Sequence, residues 1–388
     1  MEGLATSPTG SLVPISGTDA RTGRAYRAMA YLAHPLPRTI ELSTATWAVV
    51  VRAEAALARL DQAASQVPEP ALLRQPAWRR EAQSTSALEG TVAPLETVLE
   101  SEVERRGQMS SEMHEVLNFV VAADEAFAWI AERPLTAGFV ASLQHRLVSG
   151  TPSEHADAGR LRERQVYIGP RDAPIEQARF VPPPPGDQLR AAFERLLDWV
   201  NDPPADMPPV VQAALTHYQF EAIHPFSDGN GRIGRLLIVL QLMRQRALHE
   251  PILVVSPWFE ARRAEYQDQL LALSRTGDWD AWVRFFATGV GAAAETTHGR
   301  VRSLLAWQQE ALDRVRAAGA SGVAERVAAE LIGTPFLRAG DVAARHGVTH
   351  QGAMVALRRL AQLGVLDERT RNGRVVFAAP AVIRLLAR

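Results

Sequence analysis

The twelve residues 224–235, His-Pro-Phe-Ser-Asp-Gly-Asn-Gly-Arg-Ile-Gly-Arg, constrain the fold of this chain more than any other segment. Pro225 lacks a backbone N–H and disfavours helical geometry in the residue before it, so a helix over about 208–223 must end there. Gly229-Asn230-Gly231 then permits a tight turn before a second helix over about 231–246. The segment therefore predicts two helices joined by a short polar loop.

The side chains of this loop are of the types that handle phosphate groups. His224 can accept a proton from a hydroxyl, although a histidine at a helix terminus can also be purely structural. Asp228 can hold Mg²⁺ or cap the following helix. The N–H groups of Gly229-Asn230-Gly231 can converge on an anion, and the Asn230 amide adds a donor. Arg232 and Arg235 share one helical face and are predicted to grip the outer phosphates.

These residues match the Fic/Doc signature His-x-Phe-x-[Asp/Glu]-Gly-Asn-Gly-Arg-x-x-Arg at every specified position, so the chain resembles that family. The resemblance implies a helical enzyme that transfers AMP from ATP to a Ser, Thr or Tyr hydroxyl of a target protein and releases pyrophosphate. It implies that His224 is the general base and that Asp228 helps to bind Mg²⁺. Nucleotide contacts are implied for Gly229, Asn230, Gly231, Arg232, Ile233, Gly234 and Arg235, and, on the adenine side, for Tyr266 and for Gln267 in place of a second tyrosine.

Residues 148–186 interrupt the helical pattern. Val166-Tyr167-Ile168 is short and β-prone, and four prolines follow at 182–185, which predicts an extended hairpin arm. An ordinary edge hairpin would explain this pattern. The spacing Gly159-x-x-Arg162-x-x-Gln165-Val166-x-Ile168-Gly169 also resembles the Fic flap, which pairs backbone to backbone with a target protein. The resemblance therefore implies that a target docks on Val166, Tyr167, Ile168 and Gly169.

A second motif precedes this core. Thr85-Ser86-Ala87-Leu88-Glu89-Gly90 fits the inhibitory pattern [Ser/Thr]-x-x-x-Glu-[Gly/Asn] of the family, at the end of a helix predicted over 77–89. Gly90 suits the C′ position, where the helix dipole disfavours the acid at Glu89, so that acid needs a cation. The resemblance supplies Arg235 as the cation and implies that the pair keeps ATP in a non-productive pose. The alternative is an unimportant surface acid.

Amphipathic helices account for most of the remaining chain. Ser43 is a plausible N-cap for a helix with an apolar stripe that begins at Trp47. Further helical patterns lie over 92–106, 110–133, 136–148, 187–201, 258–274, 278–290 and 293–319. The predicted fold is mainly α: a disordered tail (1–25), an N-terminal helical region (26–108) with an inhibitory helix (about 77–90), a Fic-type helical bundle with a short β-hairpin flap as the core (109–300), a linking helix (301–324) and a C-terminal winged-helix domain (325–388).

The C-terminal prediction depends on the order of its elements. Two short helices over 336–345 and 351–363 precede two strands, 366–371 and 374–378, that flank an Asn-Gly turn. Residues 325–388 hold ten arginines against five acidic residues. Some of the excess lies where a recognition helix and wing would meet DNA, which makes DNA a candidate partner. The alternative is a protein-docking or dimerising winged helix with solvated arginines. The arginines concerned are Arg358, Arg359, Arg369, Arg371 and Arg374.

Composition excludes several classes of protein. Apolar residues make up 47% of the 388 residues and the net charge is −1, so no global field favours nucleic acid or membranes. The chain has no cysteine, which excludes disulfides, thiolate nucleophiles and zinc ribbons. We expect a cytoplasmic protein without a signal peptide or membrane-spanning segment.

The leading functional expectation is AMP transfer from ATP and Mg²⁺ to a target protein, with Glu89 as a brake. Removal of AMP, with Glu89 positioning a water molecule, is an alternative, as is transfer of UMP, phosphate or phosphocholine. From a different class, the chain could be a winged-helix DNA-binding regulator with a dormant catalytic core. Self-modification and formation of a homodimer are left open.

Overall fold

The computed structural model describes residues 3–19, 23–67, 69–100, 110–170, 173–371 and 373–387. These residues are mainly helical, as predicted. The helices are α1 (Thr44–Ser65), α2 (Ala71–Glu89), α3 (Leu95–Glu100), α4 (Ser111–Ile130), α5 (Ala137–Val148), α6 (Asp187–Asn201), α7 (Pro209–Ile223), α8 (Asn230–Arg244), α9 (Ser256–Glu260), α10 (Arg263–Thr276), α11 (Trp279–Ala317), α12 (Val323–Glu330), α13 (Ala339–His346), α14 (His350–Gln362) and α15 (Pro380–Ala387). The strands are β1 (Gly10–Thr18), β2 (Ala25–Ala33), β3 (Phe336–Leu337), β4 (Asp367–Arg371) and β5 (Arg374–Ala378).

Helices α7 and α8 form the centre of the core and carry the 224–235 segment at their junction. Both are buried on almost every side, as expected for helices without a polar face. Phe226 of the junction is fully buried and packs against the rings of Phe193 and Phe220. The loop is therefore anchored to the core on its apolar side. Its polar side chains are held at the ends of two buried helices.

Helices α1 and α11 pack along each other beside this core. Ser43 caps α1 as predicted, because its side chain accepts a hydrogen bond from the Thr46 N–H. The two helices predicted over 278–290 and 293–319 are one helix of 39 residues. Gly289 and Gly291 lie inside this helix without breaking it. Trp258 packs over Gly289, and the Ala53 backbone of α1 lies against Gly291. Both glycines allow close packing.

The N-terminal segment differs from the prediction. Residues 10–18, expected in a poorly ordered tail, form β1, which pairs antiparallel with β2 from Gly10↔Ala33 to Thr18↔Ala25. The buried Tyr31 of β2 stabilises the hairpin: its hydroxyl contacts Thr9 Oγ1 at 2.9 Å, and its N–H donates to the Val181 carbonyl at 2.7 Å. This order comes from cross-strand and long-range contacts, which the composition of residues 1–25 does not reveal. Residues 1–2 and 20–22 lie outside the described residues.

The predicted hairpin arm is shorter than expected. Ile168 and Phe180 form a single β-bridge, with N–H to carbonyl distances of 2.8 and 3.1 Å in the two directions. A 3₁₀ turn lies between them at Ile175–Gln177, and residues 171–172 lie outside the described residues. Prolines 182–185 lack backbone N–H groups, so the ladder cannot continue beyond the bridge.

The C-terminal residues have the predicted order of helix, helix and hairpin, in α13, α14, β4 and β5. The first predicted helix begins later than expected, because Phe336 and Leu337 form β3, and the sheet has the strand order β3-β5-β4. Asn372 of the predicted turn lies outside the described residues. Helices α12 and α15 were not predicted. The assignment as a winged helix stays a prediction.

The remaining differences from the predictions concern where individual helices begin, end or divide. Helix α2 begins at Ala71, six residues earlier than expected, and contains Pro76 in its interior. The helix predicted over 258–274 is divided into α9 and α10. Helix α3 covers part of 92–106, and residues 101–109 lie outside the described residues. None of the helices in the described residues is both long and apolar enough to cross a membrane.

Candidate active site

His224 lies at the C-cap of α7 with φ 49° and ψ 62°, a left-handed conformation that is uncommon for a residue with a side chain. Arg162 stabilises it. The Arg162 Nε donates to the His224 carbonyl at 2.8 Å, and the Arg162 backbone N–H donates to the Pro225 carbonyl at 3.0 Å. The imidazole lines a cavity. Its Nδ1 is buried and lies toward the Glu221 carbonyl, so Nε2 is the ring nitrogen that is left for a hydroxyl in the cavity.

The same surroundings set the charge of His224. Burial and the Arg162 cation lower its pKa to about 4, although Glu89 and Asp228 act in the opposite direction. The imidazole is therefore neutral at pH 7, which is the form that accepts a proton. Phosphate groups bound nearby would raise this pKa and strengthen the base.

Asp228 lies before α8 with its side chain 39% exposed. Its Oδ1 accepts from Arg232 at 3.1 Å, and Arg232 also donates to Glu115 of α4 at 3.2 Å. These two acids hold the Arg232 guanidinium in the core, so in this structure it does not line the cavity beside Arg235. Arg232 instead orients Asp228.

Asn230 closes the loop instead of facing the cavity with its amide. Its Nδ2 donates to the Phe226 carbonyl at 2.8 Å, and its Oδ1 accepts from the Phe226 N–H at 2.9 Å. Both polar atoms of this side chain are used within the loop, although Asn230 lines the cavity as predicted. Gly229, with φ 83°, supplies the turn before it.

Arg235 of α8 is bound to the end of α2. Its NH2 donates to Glu89 Oε1 at 2.6 Å and to the Thr85 carbonyl at 3.0 Å, and its Nε donates to Thr85 Oγ1 at 2.6 Å. Gly90 ends α2 with φ 101°, the left-handed C-terminal cap that the sequence predicts. The fold thus brings the inhibitory motif onto the last arginine of the loop motif.

Gly231 makes this contact sterically possible. A Cβ at that position would overlap Glu89 Oε1 and would lie 2.9 Å from Arg235 NH1. Burial alone would raise the pKa of Glu89, but the charge and hydrogen bond of Arg235 hold it below its ordinary value. Glu89 is therefore ionised at pH 7 and covers the surface where the loop amides and Arg235 meet.

A cavity of about 430 Å³ contains the site, within the size range of small-molecule pockets. Arg232, Ile233 and Gly234 lie outside its lining, although they were predicted to contact the nucleotide. Val166 of the flap also lies outside it. The predicted residues that do line the cavity are Glu89, Tyr167, Ile168, Gly169, His224, Asp228, Gly229, Asn230, Gly231, Arg235, Tyr266 and Gln267.

Tyr266 lies in the cavity wall, 5% exposed, with its hydroxyl 2.7 Å from Nε2 of the buried His217. Burial and the Arg235 cation lower the pKa of His217 to about 3, so this ring is neutral. Its Nδ1 therefore donates to the Gly234 carbonyl at 3.1 Å, and Nε2 accepts from Tyr266. His217 connects α8 to α10 and fixes Tyr266 in place.

Glu221 also lines the cavity, one turn before His224 on α7, and the sequence analysis missed it. Its spacing of three residues from His224 was the available signal, because such residues share a helix face. Its Oε1 is buried without a hydrogen-bond partner among the described residues. Burial raises its pKa to about 8, with a further rise from Glu89 and an opposing effect of Arg235. The carboxyl is thus mostly neutral at pH 7.

Family models match two parts of the chain. Residues 47–128 match the Fic/DOC family N-terminal model, and residues 134–242 match the Fic/DOC family model. A protein named Protein adenylyltransferase Fic from Drosophila willistoni is 32% identical over 199 residues, which are 51% of this chain and 36% of that protein. The protein of the same name from Drosophila ananassae is 32% identical over 208 residues, 52% of this chain and 38% of that protein. The match therefore spans little more than a third of these relatives.

Solved structures share the fold. A Fic family protein from Desulfovibrio desulfuricans G20 aligns with a TM-score of 0.57 at 21% identity, covering 88% of this chain and 97% of that one. Fic-1 from C. elegans aligns with a TM-score of 0.51 at 24% identity, covering 66% of this chain and 74% of that one. These two structures share the fold of this chain. Residues 134–242, which include the complete loop motif between α7 and α8, belong to the Fic/DOC family, and residues 47–128 belong to its N-terminal domain.

Proposed function

We propose that this chain is a protein adenylyltransferase, which moves AMP from ATP to a hydroxyl of a target protein and which Glu89 holds inactive. The observation that carries the proposal is that His224, the glycine-flanked loop and Arg235 line one cavity. The curated relatives that match half of the chain carry the name protein adenylyltransferase. A cavity of this size and composition suits a nucleoside triphosphate.

In the proposed reaction, a target hydroxyl oxygen attacks the α-phosphorus of ATP. A phosphorus–oxygen bond forms to the target, the bond from the α-phosphorus to the oxygen that bridges to the β-phosphate breaks, and pyrophosphate leaves. The neutral imidazole of His224 accepts the hydroxyl proton. The N–H groups at the start of α8 and the Arg235 guanidinium stabilise the negative charge on the phosphates.

The residues fit a magnesium ion that the nucleotide helps to bind. Asp228 lines the cavity, its carboxylate is partly exposed, and Arg232 fixes its orientation. Within the described residues, no group of three or more His, Asp or Glu side chains is arranged to hold a metal. This donor set agrees with Mg²⁺, which prefers one or two carboxylates together with phosphate oxygens and water. The ion would neutralise phosphate charge.

The proposed brake follows from competition for Arg235. Glu89 and the ATP phosphates are both anions that bind the same guanidinium, and Glu89 occupies it in this structure. Arg235 is 2% exposed and also bound to Thr85, so it cannot turn outward to serve both. ATP therefore binds productively only when Glu89 withdraws.

The C-terminal residues are better suited to docking than to DNA. Arg358 pairs with Glu368 at 3.3 Å, Arg359 donates to the Ala318 carbonyl, and Arg369 pairs with Glu96 at 3.0 Å. Arginines engaged in this way are less available to phosphates of a duplex. We therefore favour a protein-docking role over the DNA-binding alternative. Duplex DNA binding at low salt that is lost with Arg358→Ala would refute this choice.

A labelling experiment tests the enzyme and its brake together. Full-length protein is incubated with Mg²⁺ and ATP labelled at the α-phosphate, and mass spectrometry locates the modified residue. We expect Glu89→Gly to incorporate at least about tenfold more label than the wild type, because the competitor for Arg235 is gone. The Glu89→Gly variant that also carries His224→Ala is the matched control and should incorporate none. Equal labelling of wild type and Glu89→Gly would contradict the brake, and labelling without His224 would contradict its role as the base.

A further inference from the structure

Glu221 is a partly buried acid that lines the cavity and that the proposed reaction does not use. Helix α7 places it three residues, about 4.5 Å along the axis, before His224. Its Oε1 is buried, and no described residue donates to it or accepts from it. The residue as a whole is only partly buried and lines the cavity, so a ligand there can contact the part of the carboxyl that is not packed against α8.

The neighbouring helix is shaped to admit this carboxyl. A Cβ at Gly234 of α8 would overlap Glu221 Oε1, so the glycine leaves the space that the acid occupies. The positive charge of Arg235 acts on Glu221, yet the hydrogen bonds of Arg235 in the described residues go to Thr85 and Glu89. Arg235 therefore leaves the Glu221 carboxyl free to hydrogen-bond a ligand.

We propose that Glu221, in its neutral form, binds the nucleotide by donating a hydrogen bond to it. The inference rests on the proposed nucleotide site and adds a residue that contacts the bound nucleotide. An ionised carboxylate at this position would repel the phosphates, whereas a neutral carboxyl offers a donor beside an acceptor. Burial and Glu89 favour the neutral form, as the raised pKa of about 8 reflects.

The pH dependence that Glu221 causes can be separated from that of the other titratable groups around it. Without nucleotide, the pKa of His224 is about 4 and the pKa values of Tyr218 and Tyr266 are raised by burial, so all three stay neutral between pH 7 and pH 9. Any rise that bound phosphates cause in the pKa of His224 is shared by a variant at Glu221 that does not titrate. The sequence contains no lysine and no cysteine. The remaining charged or titratable side chains that line the cavity are Glu89, Tyr167, Arg179, Asp228 and Arg235.

ATP binding to the full-length protein, measured by calorimetry with Mg²⁺, tests the proposal. If only the neutral form binds and its pKa is about 8, the affinity of the wild type for ATP falls about tenfold between pH 7 and pH 9. Glu221→Gln is the matched variant, because an amide also has a donor beside an acceptor and does not titrate. We expect it to bind ATP at pH 7 like the wild type and to keep that affinity at pH 9.

Two further measurements complete the test. Glu221→Ala should lower ATP affinity at pH 7 by about three- to tenfold, since the hydrogen bond is lost. At pH 8, about half of the Glu221 carboxyls are ionised before ATP binds, so the wild type should take up about half a proton more per bound ATP than Glu221→Gln. Calorimetry in two buffers of different ionisation enthalpy measures this proton uptake. GTP serves as a second probe. If the contact is to the base, Glu221→Ala changes the ratio of ATP affinity to GTP affinity. If the contact is to another part of the nucleotide, Glu221→Ala leaves that ratio unchanged.

The outcomes separate this inference from the proposed function. If the wild type binds no ATP at any pH, the nucleotide site itself is wrong. If the wild type binds ATP but shares its pH profile with Glu221→Gln, or if Glu221→Ala binds as tightly as the wild type, the inference about Glu221 is overturned and the nucleotide site stands.

Discussion

Replacing Glu89 with glutamine measures how strongly the proposed brake holds Arg235, because it removes one charge and keeps the side-chain size. The Arg235 NH2 donates to Glu89 Oε1 at 2.6 Å while the arginine side chain is 2% exposed. Hydrogen bonds to charged groups contribute about 1.5–3 kcal/mol. The Glu89 side chain is 39% exposed, so solvent screening reduces this contribution to about 1–2 kcal/mol.

The loss of this interaction should lower the stability of the protein without nucleotide and raise its affinity for ATP. Without nucleotide, Glu89→Gln should lower the free energy of unfolding by about 1–2 kcal/mol, since Arg235 keeps Thr85 but loses its anion. With nucleotide, the phosphates no longer compete with a carboxylate for the guanidinium. The affinity for ATP should therefore rise about five- to thirtyfold.

Thermal unfolding with and without Mg²⁺ and ATP, together with a calorimetric titration, measures both effects. The control is Glu310→Gln, which removes the same charge from an exposed position of α11 and should change neither quantity. We expect Glu89→Gln to unfold at a lower temperature than the wild type without ATP and to gain more stability when ATP is added. A variant that matches the wild type in both stability and affinity would refute the competition between Glu89 and phosphate.

Two further predictions concern the loop and the pH dependence. Asn230→Ala leaves the buried N–H and carbonyl of Phe226 without their partner, so the free energy of unfolding should fall by about 1–3 kcal/mol in urea titrations; an unchanged midpoint would show that the amide does not close the loop. The lowered pKa of Glu89 means that its pair with Arg235 stabilises the fold above the ordinary value of 4.5 and is lost as the pH falls through the folded value. The stability difference between wild type and Glu89→Gln should thus shrink as the pH falls below 4.5, and a difference that stays constant throughout acidification would contradict this origin.

Local signals in the sequence predicted the elements that support the site. Pro225 ends α7, Gly90 caps α2 with a positive φ, and Ser43 caps α1. Each of these depends on backbone geometry within four residues, which is why a sequence reveals it. The hairpin of β1 and β2 was missed because its order depends on Tyr31 and on the distant Val181.

Side-chain directions were less predictable than positions. The spacing of Arg232 and Arg235 indicates a shared helix face, yet Glu115 of α4 draws the first into the core while Glu89 of α2 holds the second at the cavity. The amide of Asn230 was expected to face an anion and instead closes its own loop. In both cases the competing partner was not visible in the motif.

The sequence by itself determined the chemical groups of the site and the loop that carries them, because the proline, the glycines and the helix ends act over a few residues. Only the tertiary structure decided which of these groups meet. Glu89 and Arg235 are 146 positions apart, and their contact requires α2 to pack against α8 over Gly231. The charge of Glu221 was likewise decided by burial between helices, since desolvation depends on the surroundings of a carboxyl and not on its neighbours in the chain.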